Sequence, residues 1–383
     1  MPQPDIRTYR PVFVSLDATI ERFRKLTAVR FVWCIVSMSR KSERRNAWTS
    51  ATSLVRQLCV LAGSPTIIDD CARTLAKHGI SRAIENHDDQ VLFGWLMEGL
   101  SYQGVSDAVA EAYMNAHGYI DHADIADSLI DAAGCSKLRS YWQFDGCGYR
   151  KWAKTCNNRS YYRSCPLPRH DLRNGRLNQT AYSLYLFMRD VAGGDFVSWL
   201  DSRLTEASAS SKSATPDVLS RSVTVPLSHV HGASHKVVCM TLSALLLGGA
   251  PDRELWKAAG GAMIAIDTLV HNWLHRSGIL KSLGAGHLYG PKCYAANGCA
   301  AIIKRVSGRI DARTFNPDFP RVFPRFVQHA IWQFCSQSGV AQCNGNTIDD
   351  SRRCDLEDCR LYRRCGRVTL HPAKQTAGPK RLE

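Results

Sequence analysis

The sequence predicts an all-α protein, and three observations support that fold class. Several stretches carry apolar residues at three- and four-residue spacing, which is the period of an amphipathic helix. Alternating, strand-like runs are scarce, and the nearest one, 224–232, is short. The chain has 383 residues, 45% of them hydrophobic, which is enough for a sizeable core and two packed domains. The predicted helices include 48–62, 90–102, 104–117, 178–191 and 236–247.

Two of the predicted helices begin at recognisable residues. One begins near Ser234, after a turn at Gly232, and its free backbone N–H groups could hold a phosphate. The other follows Asp267, which is a preferred N-cap because its carboxylate accepts N–H bonds that the first turn leaves unpaired. Taken singly, both features are also typical of ordinary helix starts.

The charge balance favours a polyanionic partner. Lys and Arg number 49 against 34 acidic residues, which gives a formal net charge of +15. A protein this basic most often binds nucleic acid. An anionic membrane surface is the other candidate, but no long basic amphipathic helix stands out.

The fifteen cysteines suggest metal binding rather than disulfides. The apolar run 31–38 lacks a cleavage site of small residues and is too short to span a bilayer, so we expect a cytoplasmic protein, nucleoid-associated if bacterial. In that compartment, clustered cysteines are more often metal ligands than disulfide partners. Cys293 and Cys299 form a pair without evident further ligands and receive no role.

The C-terminal segment holds the densest cysteine cluster. Four thiolates in a short polar loop suit a [4Fe–4S] cluster or a structural zinc, and Cys335 could replace one ligand. The surrounding arginines fit phosphate contacts. The cysteines are Cys343, Cys354, Cys359 and Cys365, and the arginines taken as DNA-binding are Arg352, Arg353, Arg363 and Arg364.

A second cysteine-rich segment, 135–176, is predicted to be an inserted loop. Its side chains include cations, which bind phosphates, and aromatic rings, which stack on exposed bases. A Cys₃His zinc site is one interpretation, and a solvated basic loop is its rival. The candidate zinc ligands are Cys147, Cys156, Cys165 and His170.

Together these motifs resemble the helix-hairpin-helix (HhH-GPD) DNA glycosylase superfamily, specifically its endonuclease III branch. The segment 230–236, VHGASHK, is similar to the family's hairpin followed by a catalytic lysine. The triplet 266–268, IDT, is similar to the setting of the catalytic aspartate, and 100–103, LSYQ, to a segment whose glutamine enters the DNA stack. The resemblance covers about half of the chain, through 85–120, 172–280 and 325–365.

The resemblance implies a bifunctional DNA glycosylase with AP lyase activity. Lys236 would be the nucleophile, and the Asp267 carboxylate would stabilise the positive charge on the sugar and deprotonate the nucleophile. Both would act on a nucleotide flipped out of the duplex. Double-stranded DNA is the expected partner, with no small-molecule substrate, no membrane and a monomeric protein. The C-terminal cysteines would hold the family's [4Fe–4S] cluster. The DNA-binding residues would be Gln103 and the hairpin residues Gly232, Ala233 and Ser234.

The implied architecture has two helical domains. One is a helical barrel at 85–261, and the other combines 48–84 with 262–370; residues 1–47 form an extension and 371–383 a disordered tail. The chain departs from the family pattern where Ser234 replaces the second hairpin glycine, which is expected to alter the turn. Residues 251–261 look like an insertion. Two alternatives stay open: a catalytically silent or monofunctional DNA-binding protein of the same fold, and a metal-stabilised RNA-binding protein.

Overall fold

The protein is all-α, as the sequence predicts. A computed structural model describes residues 42–131, 134–161, 163–210, 215–250 and 252–371. Of the predicted extension at 1–47, residues 1–41 lie outside these ranges and 42–47 are helical. Of the predicted tail at 371–383, residues 372–383 lie outside them. In the described part, the strands are β1 (Tyr149–Arg150) and β2 (Thr155–Cys156), which form an antiparallel ribbon inside the segment 135–176.

Sixteen α-helices are described along the chain. The five predicted helical stretches correspond to α1, α4, α5, α8 with the π-helical turn Phe187–Val191, and α11. The helices are α1 (Ser42–Ala62), α2 (Ile67–Lys77), α3 (Ile80–Glu85), α4 (Asp89–Ser101), α5 (Asp107–His117), α6 (His122–Asp131), α7 (Tyr141–Phe144), α8 (Asn178–Leu186), α9 (Phe196–Ala209), α10 (Pro216–Leu227), α11 (His235–Gly248), α12 (Glu254–Ala262), α13 (Thr268–Arg276), α14 (Ile279–Ser282), α15 (Cys299–Ser307) and α16 (Pro324–Cys335).

The described part of the chain divides into two compact units, with the boundary between Ala51 and Thr52. Within the second unit, one continuous hydrophobic core contains buried side chains from Leu75 to Ala265. Helix α11 lies at its centre, packed against α2, α4, α10 and α12. The division into a barrel at 85–261 and a second domain remains a prediction.

Helix α12 makes residues 254–261 of the predicted insertion part of the core. Its Trp256 is fully buried, and the indole Nε1 donates a hydrogen bond to Asp201 at 2.6 Å. A Cβ added at Gly260 would lie 3.0 Å from Leu246 Cβ, so small residues let α12 pack closely on α11. Close packing of this kind fixes the direction in which the chain leaves α12 toward Asp267.

No single described helix is long and apolar enough to cross a membrane. The pair Ser42–Ala62 and Ile67–Lys77 passes that test jointly, by length and composition only.

Candidate active site and metal-ligand groups

The turn between α10 and α11 is a tight hairpin that requires glycine at position 232. Gly232 has φ +77°, and a Cβ at this residue would lie 2.9 Å from Thr180 Oγ1. The N–H of the preceding residue, His231, donates to Ser183 Oγ on α8 at 2.9 Å. Helix α8 therefore fixes the position of the hairpin.

The second hairpin position does not need glycine. Ser234 has φ −91° and ψ 153°, an extended backbone that any residue adopts, and it is the N-cap residue of α11. The expectation that Ser234 alters the turn is therefore wrong. The backbone N–H of Ser234 donates a hydrogen bond to Gln103 Oε1 at 3.2 Å. The hairpin and the segment after α4 therefore meet here.

One large cleft brings together the residues singled out from the sequence. Gln103, Ser234, Lys236 and Asp267 all line it, although they come from three separate parts of the chain. The cleft has a volume of about 1320 Å³, which is room for more than a single side chain or water molecule. Lys236 lies in the first turn of α11, at the positive end of the helix dipole.

Asp267 is the N-cap of α13, as the sequence predicts. Its Oδ1 accepts a hydrogen bond from Val270 N at 2.8 Å, and it lies in the wall of the cleft. Burial raises the pKa of the Asp267 carboxyl, while the backbone bond from Val270 and the charge of Lys236 act in the opposite direction. Arg325 on α16 also interacts electrostatically with this carboxyl.

Two tyrosines from the loop after α14 form the wall beside Asp267. Tyr294 Oη accepts a hydrogen bond from Ile266 N at 2.9 Å, and the Tyr294 ring packs edge-on against His235 at 4.7 Å. Tyr289 Oη lies 3.5 Å from the carbonyl oxygen of Ile266. Neither role could be predicted from the sequence, because both depend on how the loop folds back on the chain before α13.

The four C-terminal cysteines surround one small pocket. Its wall also includes Trp273, Phe334 and Leu361. The buried Arg276 at the end of α13 donates to the carbonyl oxygen of Cys343 at 3.4 Å and forms an ion pair with Asp350. The segment 343–365, here called the C-terminal cysteine loop, is thus anchored to the helix that begins at Asp267, and its four thiols are Cys343, Cys354, Cys359 and Cys365.

The predicted DNA-binding arginines of this loop lie outside the cleft. All four are exposed, and Arg364 donates to Gln57 Oε1 at 3.1 Å. Arg352 pairs with Asp349 at 3.4 Å on the surface. The other two, Arg353 and Arg363, are exposed as well.

The segment 135–176 brings its predicted cysteines together but not its predicted histidine. A cavity of about 360 Å³ is lined by Cys147, Cys156 and Cys165, and the fourth thiol in its wall is Cys135. His170 instead lies 2.7 Å from Tyr182 Oη on α8. Cys135 was missed because it precedes the dense part of the motif.

A further set of ligands was also missed from the sequence. His271, His287, Cys293 and Cys299, here called the Cys/His group, place their ligand atoms within 4.8 Å of one another. This group could hold a metal ion. In the sequence, the pair Cys293 and Cys299 was the available indication of this group. The two histidines lie 6 or more residues before Cys293.

Comparisons with known proteins add no relative. No family model, curated protein or solved structure matches the chain. The residues of the cleft and of the cysteine groups are therefore what indicates a function.

Proposed function

We propose that the protein is a DNA glycosylase with AP lyase activity that excises a damaged or modified base from duplex DNA. The observation that carries the proposal is the convergence of Gln103, Lys236 and Asp267 on one cleft. These residues belong to separate sequence motifs, and a shared cleft is what a common reaction requires.

The lysine and the aspartate supply complementary chemistry. The neutral Lys236 amine attacks C1′ of the flipped nucleotide, the glycosidic bond breaks and the base leaves, and the Schiff base on the opened sugar permits β-elimination. Asp267 stabilises the positive charge that develops on the sugar and accepts a proton from the lysine. The raised pKa of Asp267 suits this second task, since a proton acceptor works best when its pKa is near the working pH.

Gln103 and the hairpin suit the binding of a duplex from which one nucleotide is flipped out. The backbone at Ser234 and the Gln103 side chain are in hydrogen-bond contact, so a residue that fills the space of the flipped base stands beside a phosphate-binding turn. The net charge of +15 and the exposed arginines of the C-terminal cysteine loop support binding to a phosphate backbone.

The C-terminal cysteine loop suits a [4Fe–4S] cluster. Four thiols around one pocket are the donor set of such a cluster, and the side chains of Trp273 and Phe334 shield the same pocket. When bound, the cluster would supply a rigid link across a loop with few apolar residues. Arg276 would then join this rigid loop to α13.

The test is borohydride trapping on duplex oligonucleotides that carry an abasic site, an oxidised pyrimidine, uracil or no lesion. We expect a covalent adduct with the wild-type protein and none with Lys236→Ala. Lys257→Ala is the matched control, because Lys257 is also half-buried in the first turns of a neighbouring helix but lies outside the cleft.

Four outcomes would overturn the proposal or part of it. An adduct that persists in Lys236→Ala would remove Lys236 from the chemistry. Base release without any adduct would indicate a monofunctional, water-using glycosylase. Duplex binding with neither base release nor adduct would leave a silent DNA-binding protein, and preferential binding to single-stranded RNA would favour an RNA-binding protein.

A further inference from the structure

We infer that His271, His287, Cys293 and Cys299 form a structural zinc site that holds one wall of the cleft. The inference rests on the Cys/His group alone and is independent of the glycosylase proposal.

The distances within the group match a tetrahedral zinc centre. Cys299 Sγ lies 3.4 Å from both His271 Nδ1 and His287 Nε2, and Cys293 Sγ lies 3.5 Å from His271 Nδ1. With Zn–S near 2.3 Å and Zn–N near 2.0–2.1 Å, a tetrahedral ion separates its sulfur and nitrogen ligands by about 3.5 Å. One ion at the centre accounts for all these contacts at once, whereas pairwise S–H···N bonds would need His271 Nδ1 to serve two thiols.

A hydrogen bond outside the group prepares His287 to bind metal. Its Nδ1 lies 2.7 Å from the carbonyl oxygen of Ala285, so Nδ1 carries the proton. Nε2, the atom that faces Cys299, is then the unprotonated nitrogen. Metal-binding histidines almost always have such a partner, because it fixes the tautomer and the orientation of the ring.

The choice of zinc follows from the donor set and its burial. Two thiolates and two imidazoles exclude magnesium and calcium, which prefer oxygen ligands. Cys293 and Cys299 are fully buried and His271 is 4% exposed, so the four protein ligands leave no position open to substrate. A closed, four-ligand set is typical of structural rather than catalytic zinc.

The backbone between the two cysteines is shaped to bring them together. Gly298 is the N-cap residue of α15, and a Cβ at this position would overlap the carbonyl oxygens of Lys292 and Cys293. The turn is therefore too tight for any other residue without movement of the chain. This close approach places Cys299, the first residue of α15, beside Cys293.

The site joins the cleft wall to the helix that carries Asp267. His271 is one turn after Asp267 on α13, and His287 and Cys293 flank the loop residues Tyr289 to Pro291, which line the cleft. Leu288 in this loop is 86% exposed, so apolar burial contributes little to its order. A bound metal ion would hold this loop in place although few of its apolar side chains are buried.

The test measures the metal content of the full chain, purified without chelators. We expect the wild-type protein to contain one zinc more per chain than Cys299→Ser, and Co²⁺ exchange to give the absorption of a tetrahedral thiolate site. Cys239→Ser is the matched control: Cys239 is equally buried and lies 3.4 Å from one histidine nitrogen, His235 Nε2, but belongs to no metal-ligand group among the described residues. Its zinc content should equal the wild-type value.

Equal zinc in wild type and Cys299→Ser, or a Cys293–Cys299 disulfide found by alkylation and mass spectrometry, would overturn the inference. If Cys299→Ser does not fold, His287→Ala serves as the second variant, since His287 is half-buried on the loop. The Co²⁺ spectrum of the wild-type protein needs no variant, and its absence would also count against the site.

Discussion

Helix α13 meets the C-terminal cysteine loop at one end and the Cys/His group at the other, and their ligands are arranged differently. In the first region, four thiols surround a pocket that also has aromatic walls. In the second, the ligand atoms converge to within 4.8 Å of one another. A four-iron cluster needs space between its thiolates, whereas a single ion needs its ligands in mutual contact. The contrast teaches that a count of cysteines does not identify a metal, because ligand spacing in the fold decides it.

The largest expected effect concerns the C-terminal cysteine loop. We expect Cys343→Ser to lose all iron, about four atoms per chain, and to lower the free energy of unfolding by roughly 3 kcal/mol or more. Iron and sulfide analysis and denaturant unfolding measure both. Cys59→Ser is the control, since Cys59 is also buried but lines neither this pocket nor the cleft. Iron loss in Cys335→Ser, with retention in Cys354→Ser, would assign the ligands differently.

The second prediction separates catalysis from both metal regions. Asp267→Asn should slow single-turnover base release by about 100-fold or more, because a charge-stabilising group is lost. Asn is as good an N-cap as Asp, so iron, zinc and folding should stay as in wild type. A variant that loses metal along with activity would show that Asp267 acts through the structure of α13 instead.

The third prediction tests the tie between α13 and the C-terminal cysteine loop. Arg276→Met leaves Asp350 without its partner, and we expect a cost of about 2 kcal/mol, because the Arg276 side chain is 4% exposed and Asp350 35% exposed. Arg352→Ala, which breaks an ion pair whose arginine is 83% exposed, should cost under about 0.5 kcal/mol. Equal costs in denaturant unfolding would mean that burial of Arg276 is energetically unimportant.

The fourth prediction concerns the Cys/His group. His287→Ala should speed amide hydrogen exchange by about tenfold or more across 283–298 and the first turn of α13, with little change in the C-terminal cysteine loop. His275→Ala should do the reverse, since His275 is half-buried on the same helix but contacts the carbonyl oxygen of Thr369, four residues after the C-terminal cysteine loop. The same pattern of exchange in both variants would contradict separate roles for the two ends.

The smallest effect is a pH dependence at the cleft end of α13. Because burial raises the pKa of Asp267, the folded protein keeps this proton to higher pH than the unfolded chain does. The wild-type free energy of unfolding therefore falls, relative to Asp267→Asn, as pH rises from about 4 through the raised pKa. Paired denaturation curves at each pH measure the difference. A difference that is constant or of opposite sign would refute the raised pKa.

The sequence by itself determined the helical class and the local motifs. Helical periodicity, the turn at Gly232, the cap at Asp267 and the dense C-terminal cysteines all depend on residues close together in the chain. Local spacing is enough for such features because helices, turns and caps are formed by residues within a few positions of each other.

Only the tertiary structure decided which residues meet. The sequence does not reveal that Gln103 lies beside the N–H of Ser234, or that Cys135 rather than His170 lines the cavity with Cys147, Cys156 and Cys165. Nor does it reveal that His271 and His287 lie beside Cys293 and Cys299. These contacts join segments whose separation along the chain carries no distance information. Their geometry is set by how α8, α11 and α13 pack and by the tight turn at Gly298, and packing depends on the whole core rather than on any local pattern.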